Sequence, residues 1–218
     1  MRISTILYHD VVNLDWDESG FAGDGAARYK LKRPQFEAHL DAIAGNNQAR
    51  AVTIDDMLAW PSAKKFLITF DDGGASSLYI ADCLEARGWR GHFFITTGKI
   101  GAATFLSHSD ISELHRRGHI IGTHTRSHPH WMSDLSRQQL YEEWRTSAAD
   151  LADILGASVT TGSVPGGATS DQVTLAARDA GLKVLCNSQP TSKVDHIDGC
   201  MVLGRYVVRN GTSARVIW

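Results

Sequence analysis

The chain has 218 residues, 43% hydrophobic and 21% charged, with 20 Gly and 5 Pro, which excludes disordered, collagen-like and low-complexity classes and fits one domain spanning residues 1–218. Lys and Arg number 22 against 24 Asp and Glu, a formal charge of -2, so the basic footprint that nucleic acid or an anionic membrane selects is missing. Cys83, Cys186 and Cys200 form no CxxC pair, no apolar run approaches the roughly 20 residues of a spanning helix, and the N-terminus lacks a secretory pattern. A reducing, cytoplasmic location is the expectation, and the sequon at Asn210-Gly211-Thr212 then reads as a chance match.

The predicted elements begin with a β-branched and aromatic run at residues 3–8, a first strand. Residues 13–30 interrupt the pattern with Trp16, Phe21 and Tyr29 among acids and glycines; a loop of that length is read as a substrate cover, with a mobile surface excursion as the alternative. A helical period over residues 34–44 precedes a strand at 66–70, and a helix at 76–87 precedes a strand at 92–96. A helix at 110–117 and a strand at 119–122 follow. Leu140, Trp144, Leu151 and Leu155 then share one helical face behind Ser136 and Gln139, spaced as a capping box. Strands at 159–164, 183–186 and 201–208 and a helix at 169–180 complete the chain. Gly88, Gly118, Gly156 and Gly181 stand where helices should stop. About seven strands alternating with helices imply an α/β fold with a mainly parallel sheet or barrel.

Three segments concentrate reactive side chains. FLITFDDGG, residues 66–74, ends an apolar strand in Asp71 and Asp72; like charges so close raise one another's pKa unless a cation neutralises them, although either acid could instead cap the next helix. GHIIGTHTRSHPH, residues 118–130, holds four of the ten histidines, and one helical turn would project His124 and His128 to the same side, a spacing suited to two ligands of one cation. Pro129 limits any helix there. Pro165-Gly166-Gly167 follows the strand at 159–164, and His9 follows the first strand. In parallel sheets such groups converge at the carboxyl ends of strands.

Together, ITFDDGG, HTRSHPH and SVPGG resemble the motifs of the metal-dependent polysaccharide deacetylases, carbohydrate esterase family four. The resemblance runs from ILYHDVV to about Arg209. It implies a distorted (β/α) barrel of about seven parallel strands and removal of acetyl groups from N-acetylated sugar polymers or oligomers. It further implies Asp71 as general base, Asp72, His124 and His128 as ligands of a divalent metal, and Gly166 N–H as an oxyanion donor. Zinc suits two His and one carboxylate, with Co, Ni, Mn or Fe as alternatives. His9 in LYHDV resembles the catalytic histidine that permuted members carry near the N-terminus. Trp16, Phe21 and Tyr29 are candidates for holding sugar.

Two departures accompany the resemblance. Ser163 stands where the third motif has an arginine that pairs with the base, and no downstream Asp-Trp motif orients His9. Arg205 or Arg126 could supply a substitute cation for Asp71, but with nothing in the sequence to place them near it, each is read as a surface residue. Two other functions remain open on the residues: an amidohydrolase acting on a cyclic or linear amide of nitrogen metabolism, and a non-catalytic carbohydrate-binding domain that retains the metal. Oligomeric state is not encoded in any motif.

Overall fold

A computed structural model describes residues 1–45, 50–59 and 65–216. The first strand, β1 (Ser4–Tyr8), is followed by a short parallel pair, β2 (Val11–Val12) and β3 (Leu31–Lys32), that brackets the long loop and its one-turn helix α1 (Asp24–Ala27). Next come α2 (Arg33–Ala44), β4 (Arg50–Ala51), α3 (Ile54–Ala59), β5 (Lys65–Phe70), α4 (Ser77–Glu85), β6 (His92–Ile95), α5 (His108–Arg116) and β7 (Ile120–Thr123). The 19-residue α6 (Arg137–Leu155), β8 (Thr161–Ser163), α7 (Asp171–Asp179), β9 (Val184–Cys186), β10 (Val194–Ile197), β11 (Cys200–Leu203) and β12 (Tyr206–Val207) complete the order.

The strands pair in the order β10-β11-β9-β8-β7-β6-β5-β1-β12, with β4 also on β5. All these pairings are parallel except β10 with β11. The sheet curls into a half-barrel, and Arg2 bridges to Lys193 where its two margins approach. The expected distorted barrel is thus found, with each predicted strand run represented. The run at 201–208 divides into β11 and β12, because the chain breaks at Gly204, where a Cβ would lie 2.4 Å from Gln189 O. The antiparallel β10 was not expected; it turns into β11 through Asp198 (φ 47°) and Gly199 (φ 87°), an Asp-Gly pair suited to a tight hairpin.

Side-chain alternation along the strands decides what faces the barrel interior. Phe66, Ile68 and Phe70 of β5 pack outward with Ile6, Tyr8, Phe93, Leu84, Leu114, Trp144 and Leu151 in the layer under the helices. Leu67 points the other way, into a smaller cluster with Phe94, Cys186, Met201 and Leu203. Phe94 fills that interior because Gly122 faces it: a Cβ on Gly122 would lie 2.5 Å from the ring. The inward series Leu67, Thr69 continues to Asp71, and Met201, Leu203 continues to Arg205. Alternation therefore delivers polar groups to the upper rim of an apolar interior.

Helix boundaries follow their caps. Ser107 with Asp110 and Ser136 with Gln139 both form complete capping boxes, so the predicted 110–117 helix begins earlier, at His108. Gly156 closes α6 in the left-handed conformation. Neither Asp71 nor Asp72 caps α4, whose N-cap is Ser76.

Candidate active site

Asp71 and Asp72 leave β5 at its carboxyl end, and both are buried. Asp72 is in the left-handed region (φ 78°), a strained setting for a residue with a side chain, and its carbonyl accepts from Thr96 N. That twist brings its carboxylate Oδ1 to 3.4 Å from His124 Nε2 and 3.5 Å from His128 Nε2. One ligand atom from each of the three residues lies within 4.8 Å of the others. Two atoms each about 2.1 Å from one ion at a tetrahedral angle stand about 3.4 Å apart, so the set fits a single divalent cation.

The two histidines do not share a helical turn. After β7 the chain makes a tight loop in which Thr125 (φ 63°) and His128 (φ 57°) are left-handed, since Pro129 forbids a helix and the loop is tied down from outside. Glu143 of α6 accepts from Arg126 N, Ser127 N and Ser127 Oγ, and Thr125 Oγ1 accepts from His128 N. His124 Nδ1 lies 2.8 Å from Ser163 O; a carbonyl can only accept, so Nδ1 carries a proton. Burial lowers the His124 pKa, but Asp71 and Asp72 outweigh it and raise it, so Nε2 is the nitrogen that would exchange its proton for a cation.

Electrostatics support a cation-binding role. Burial raises the Asp72 pKa, but the hydrogen bond with His124 and the nearby His9 and His128 outweigh it and hold the carboxyl ionised. Burial, reinforced by His124, pushes His128 down to about 4, so its ring is neutral and able to donate electrons at neutral pH.

Arg205 corrects the reading of that residue as a surface group: it is fully buried. Its Nη1 lies 2.7 Å from Asp71 Oδ1 and its Nη2 2.8 Å from Oδ2, a forked pair, while Nε donates to Asn187 O at 2.8 Å. Ser163 Oγ donates to Asp71 Oδ2 at 2.9 Å and accepts from Arg205 Nη2 at 2.7 Å. Burial raises the Asp71 pKa, yet Arg205 and His124 lower it well below the ordinary carboxylate range. The serine at the third motif and an arginine from beyond β11 together do what a motif arginine would do. The inward alternation of Met201, Leu203 and Arg205 was the available signal.

A cavity of about 650 Å³ joins Asp71, Asp72, His124 and His128 to His9, Phe21, Tyr29 and Gly166. His9 extends β1 on its inward face; its Nδ1 is buried without a hydrogen-bond partner among the described residues, and its ring lies 4.9 Å from Tyr29. Burial lowers its pKa while Asp72 and Asp71 oppose that shift. Among the described residues no carboxylate hydrogen-bonds to His9: Asp10, which also borders the cavity, accepts through Oδ1 from Ser19 and Ser76. Gly166 has φ 65°, and its N–H donates to no described residue.

The loop at 13–30 is tethered. Lys30 is buried and donates from Nζ to Trp16 O and Phe21 O, and Gly20 exchanges hydrogen bonds with Thr104. Phe21 thereby stands 4.8 Å from the His128 ring. Trp16 is not brought in; Lys32 covers its ring at 4.2 Å, away from the cavity. His130, Arg28, Ser188 and Arg209 line the cavity and had not been singled out from the sequence.

The polysaccharide deacetylase family profile matches residues 60–185, more than half of the chain. The chain belongs to the polysaccharide deacetylase family. Its fold is similar to that of BC0361, a polysaccharide deacetylase from Bacillus cereus, at 17% identity and TM-score 0.81, covering 99% of this chain and 67% of that one. Similar folds occur in the Streptococcus pyogenes deacetylase PplD in complex with acetate (17% identity, TM-score 0.80, 99% and 96% covered) and in IcaB from Ammonifex degensii (21% identity, TM-score 0.78, 95% and 91% covered). At these identities the likeness is one of fold. No curated protein sequence matches the chain. Among the described residues no helix is long and apolar enough to cross a membrane.

Proposed function

We propose that this polysaccharide deacetylase is a metal-dependent N-deacetylase that hydrolyses the acetamido group of a sugar polymer or oligomer to acetate and a free amine. The observation that carries this reading is the juxtaposition of two differently tuned acids: Asp72 facing two imidazoles and Asp71 locked by Arg205. A binding site for metal alone would need only the first, which disfavours a non-catalytic role.

Asp72, His124 and His128 would hold the ion, and zinc is the metal we assign to this donor set. When bound, such an ion polarises a carbonyl and acidifies water. Asp71 accepts the proton of the water that attacks the acetyl carbon, and Arg205 keeps its carboxylate oriented and ionised beforehand. Gly166 N–H donates to the oxygen that becomes negative. His9 gives a proton to the sugar nitrogen as the C–N bond breaks. Phe21 and Tyr29 form an aromatic wall against which a sugar ring can lie.

Amine release from N-acetylglucosamine oligomers by zinc-loaded protein, with metal content measured on the same samples, tests the assignment. His124→Ala is expected to lose most bound metal and all metal-dependent turnover while staying folded. Asp71→Asn should keep the metal and lose roughly 10² to 10⁴ in turnover, whereas Asp72→Asn should weaken metal binding itself. Unchanged zinc stoichiometry in His124→Ala, or equal metal loss in the two aspartate variants, overturns the division of roles.

A further inference from the structure

Besides the buried Lys30, whose ammonium is held by Trp16 O and Phe21 O, two exposed cationic side chains line the catalytic cavity and take no part in the chemistry above. Arg28 follows α1 on the long loop, and Arg209 follows β12. Their segments lie side by side: Asn210 N donates to Arg28 O at 2.9 Å, and Asn210 Nδ2 donates to Ala27 O at 3.2 Å. Gln35 Nε2 donates to Asn210 O and Thr212 O, anchoring the platform to α2. Neither guanidinium closes on a carboxylate among the described residues, whereas Arg87, Arg117, Arg137 and Arg205 all do. On the same loop Asp15, Asp17 and Glu18 accept from the backbone N–H groups of residues 17, 23 and 13.

Position relative to the reacting groups gives the pair a meaning. Arg209 lies 5.6 Å from the Tyr29 ring, whose centroid is 4.9 Å from that of His9. The guanidinium is therefore one aromatic ring further out than the group that meets the departing amine. Two permanently charged forks on neighbouring segments, neither paired with a carboxylate among the described residues, form a cradle for an oxyanion. We propose that the substrate carries an anionic group, a carboxylate or a phosphodiester, on the unit adjoining the acetamido sugar, and that Arg28 and Arg209 bind it. This deepens the deacetylase reading and rests on it for the position of the acetamido group.

The test compares zinc-loaded protein on three oligomers of equal length: N-acetylglucosamine alone, N-acetylglucosamine alternating with glucuronate, and N-acetylglucosamine units joined by phosphodiesters. One or both charged oligomers should be preferred in kcat/KM by on the order of tenfold at low salt, and the preference should shrink at 0.5 M salt. The two charged arms distinguish carboxylate from phosphate. In the double variant Arg28→Gln, Arg209→Gln the ratio of charged to neutral kcat/KM should fall toward one, through KM on the charged oligomers. Equal kcat/KM on neutral and charged oligomers, or a preference that survives both substitutions, overturns the proposal. Equilibrium binding of the same oligomers separates the two readings: if nothing is deacetylated yet the charged oligomers bind tighter by way of Arg28 and Arg209, the anion site stands and the deacetylase reading fails.

Discussion

A buried guanidinium is tolerated only when its donors find acceptors, and Arg205 places Nε on Asn187 O and its two terminal nitrogens on Asp71. Removing the charge altogether would strand Asp71, at a cost of about 3–5 kcal/mol for a broken buried pair, so Arg205→Met is expected to lower stability as well as rate. Arg205→Lys separates the two effects, since an ammonium keeps the charge but not the fork. We expect this variant to fold and bind metal, with kcat reduced roughly 10- to 100-fold, measured beside metal content. His9 is tested by leaving group. An amine must be protonated to depart, while a phenolate need not be. His9→Ala should therefore lower kcat on N-acetyl sugars by roughly 10² to 10⁴, yet affect aryl acetate hydrolysis far less. Parallel loss of both activities together with a lower Tm would mean that His9 only packs beside Tyr29.

Among the elements, β6 shows how an interior histidine stabilises a sheet without entering the chemistry. His92 Nδ1 faces Ile68 O at 3.0 Å, and its Nε2 accepts from Ile54 N at 2.9 Å, so β6 fastens β5 to the start of α3 through a neutral ring. Burial pushes the His92 pKa down to about 4, only partly opposed by the Ile68 carbonyl. Below the ordinary value of about 6.5 the unfolded chain takes up a proton that the folded chain refuses. Stability from this group is thus complete above about pH 6.5 and declines as pH falls toward 4, by up to about 3 kcal/mol. Urea unfolding of metal-free protein at pH 7, 5.5 and 4 should show a steeper loss for the wild type than for His92→Gln. Identical slopes would mean that the ring is not held neutral. The hairpin of β10 and β11 is a different lesson, because Asp198-Gly199 announces a turn while the surrounding alternation of helix and strand suggests a parallel strand.

At the scale of the molecule, the resemblance of two short motifs next to strand ends named Asp72, His124 and His128 together, and the fold brings one ligand atom of each within 4.8 Å of the others. Pro129 already limited any helix for the two histidines, but the loop's shape depends on Glu143, distant in sequence, whose carboxylate meets the loop only in the fold. Arg205, a candidate counter-charge read as a surface residue, could not be placed from sequence for the same reason: its partner lies 134 positions away, and only the curl of the sheet brings them together. Trp16 had the right residue type and the wrong side of its loop.

The seam where β1 meets β12, Ile6 opposite Tyr206, has a temporal side. During synthesis the chain emerges from its N-terminus, so Asp71, Asp72 and the histidine loop leave the ribosome well before Arg205. Until then the buried acid has no counter-charge, β1 has an open edge, and the catalytic rim cannot settle. Asp71 therefore meets its counter-charge only after residue 205 has emerged, so the two ends of this pair are separated in time as well as in sequence.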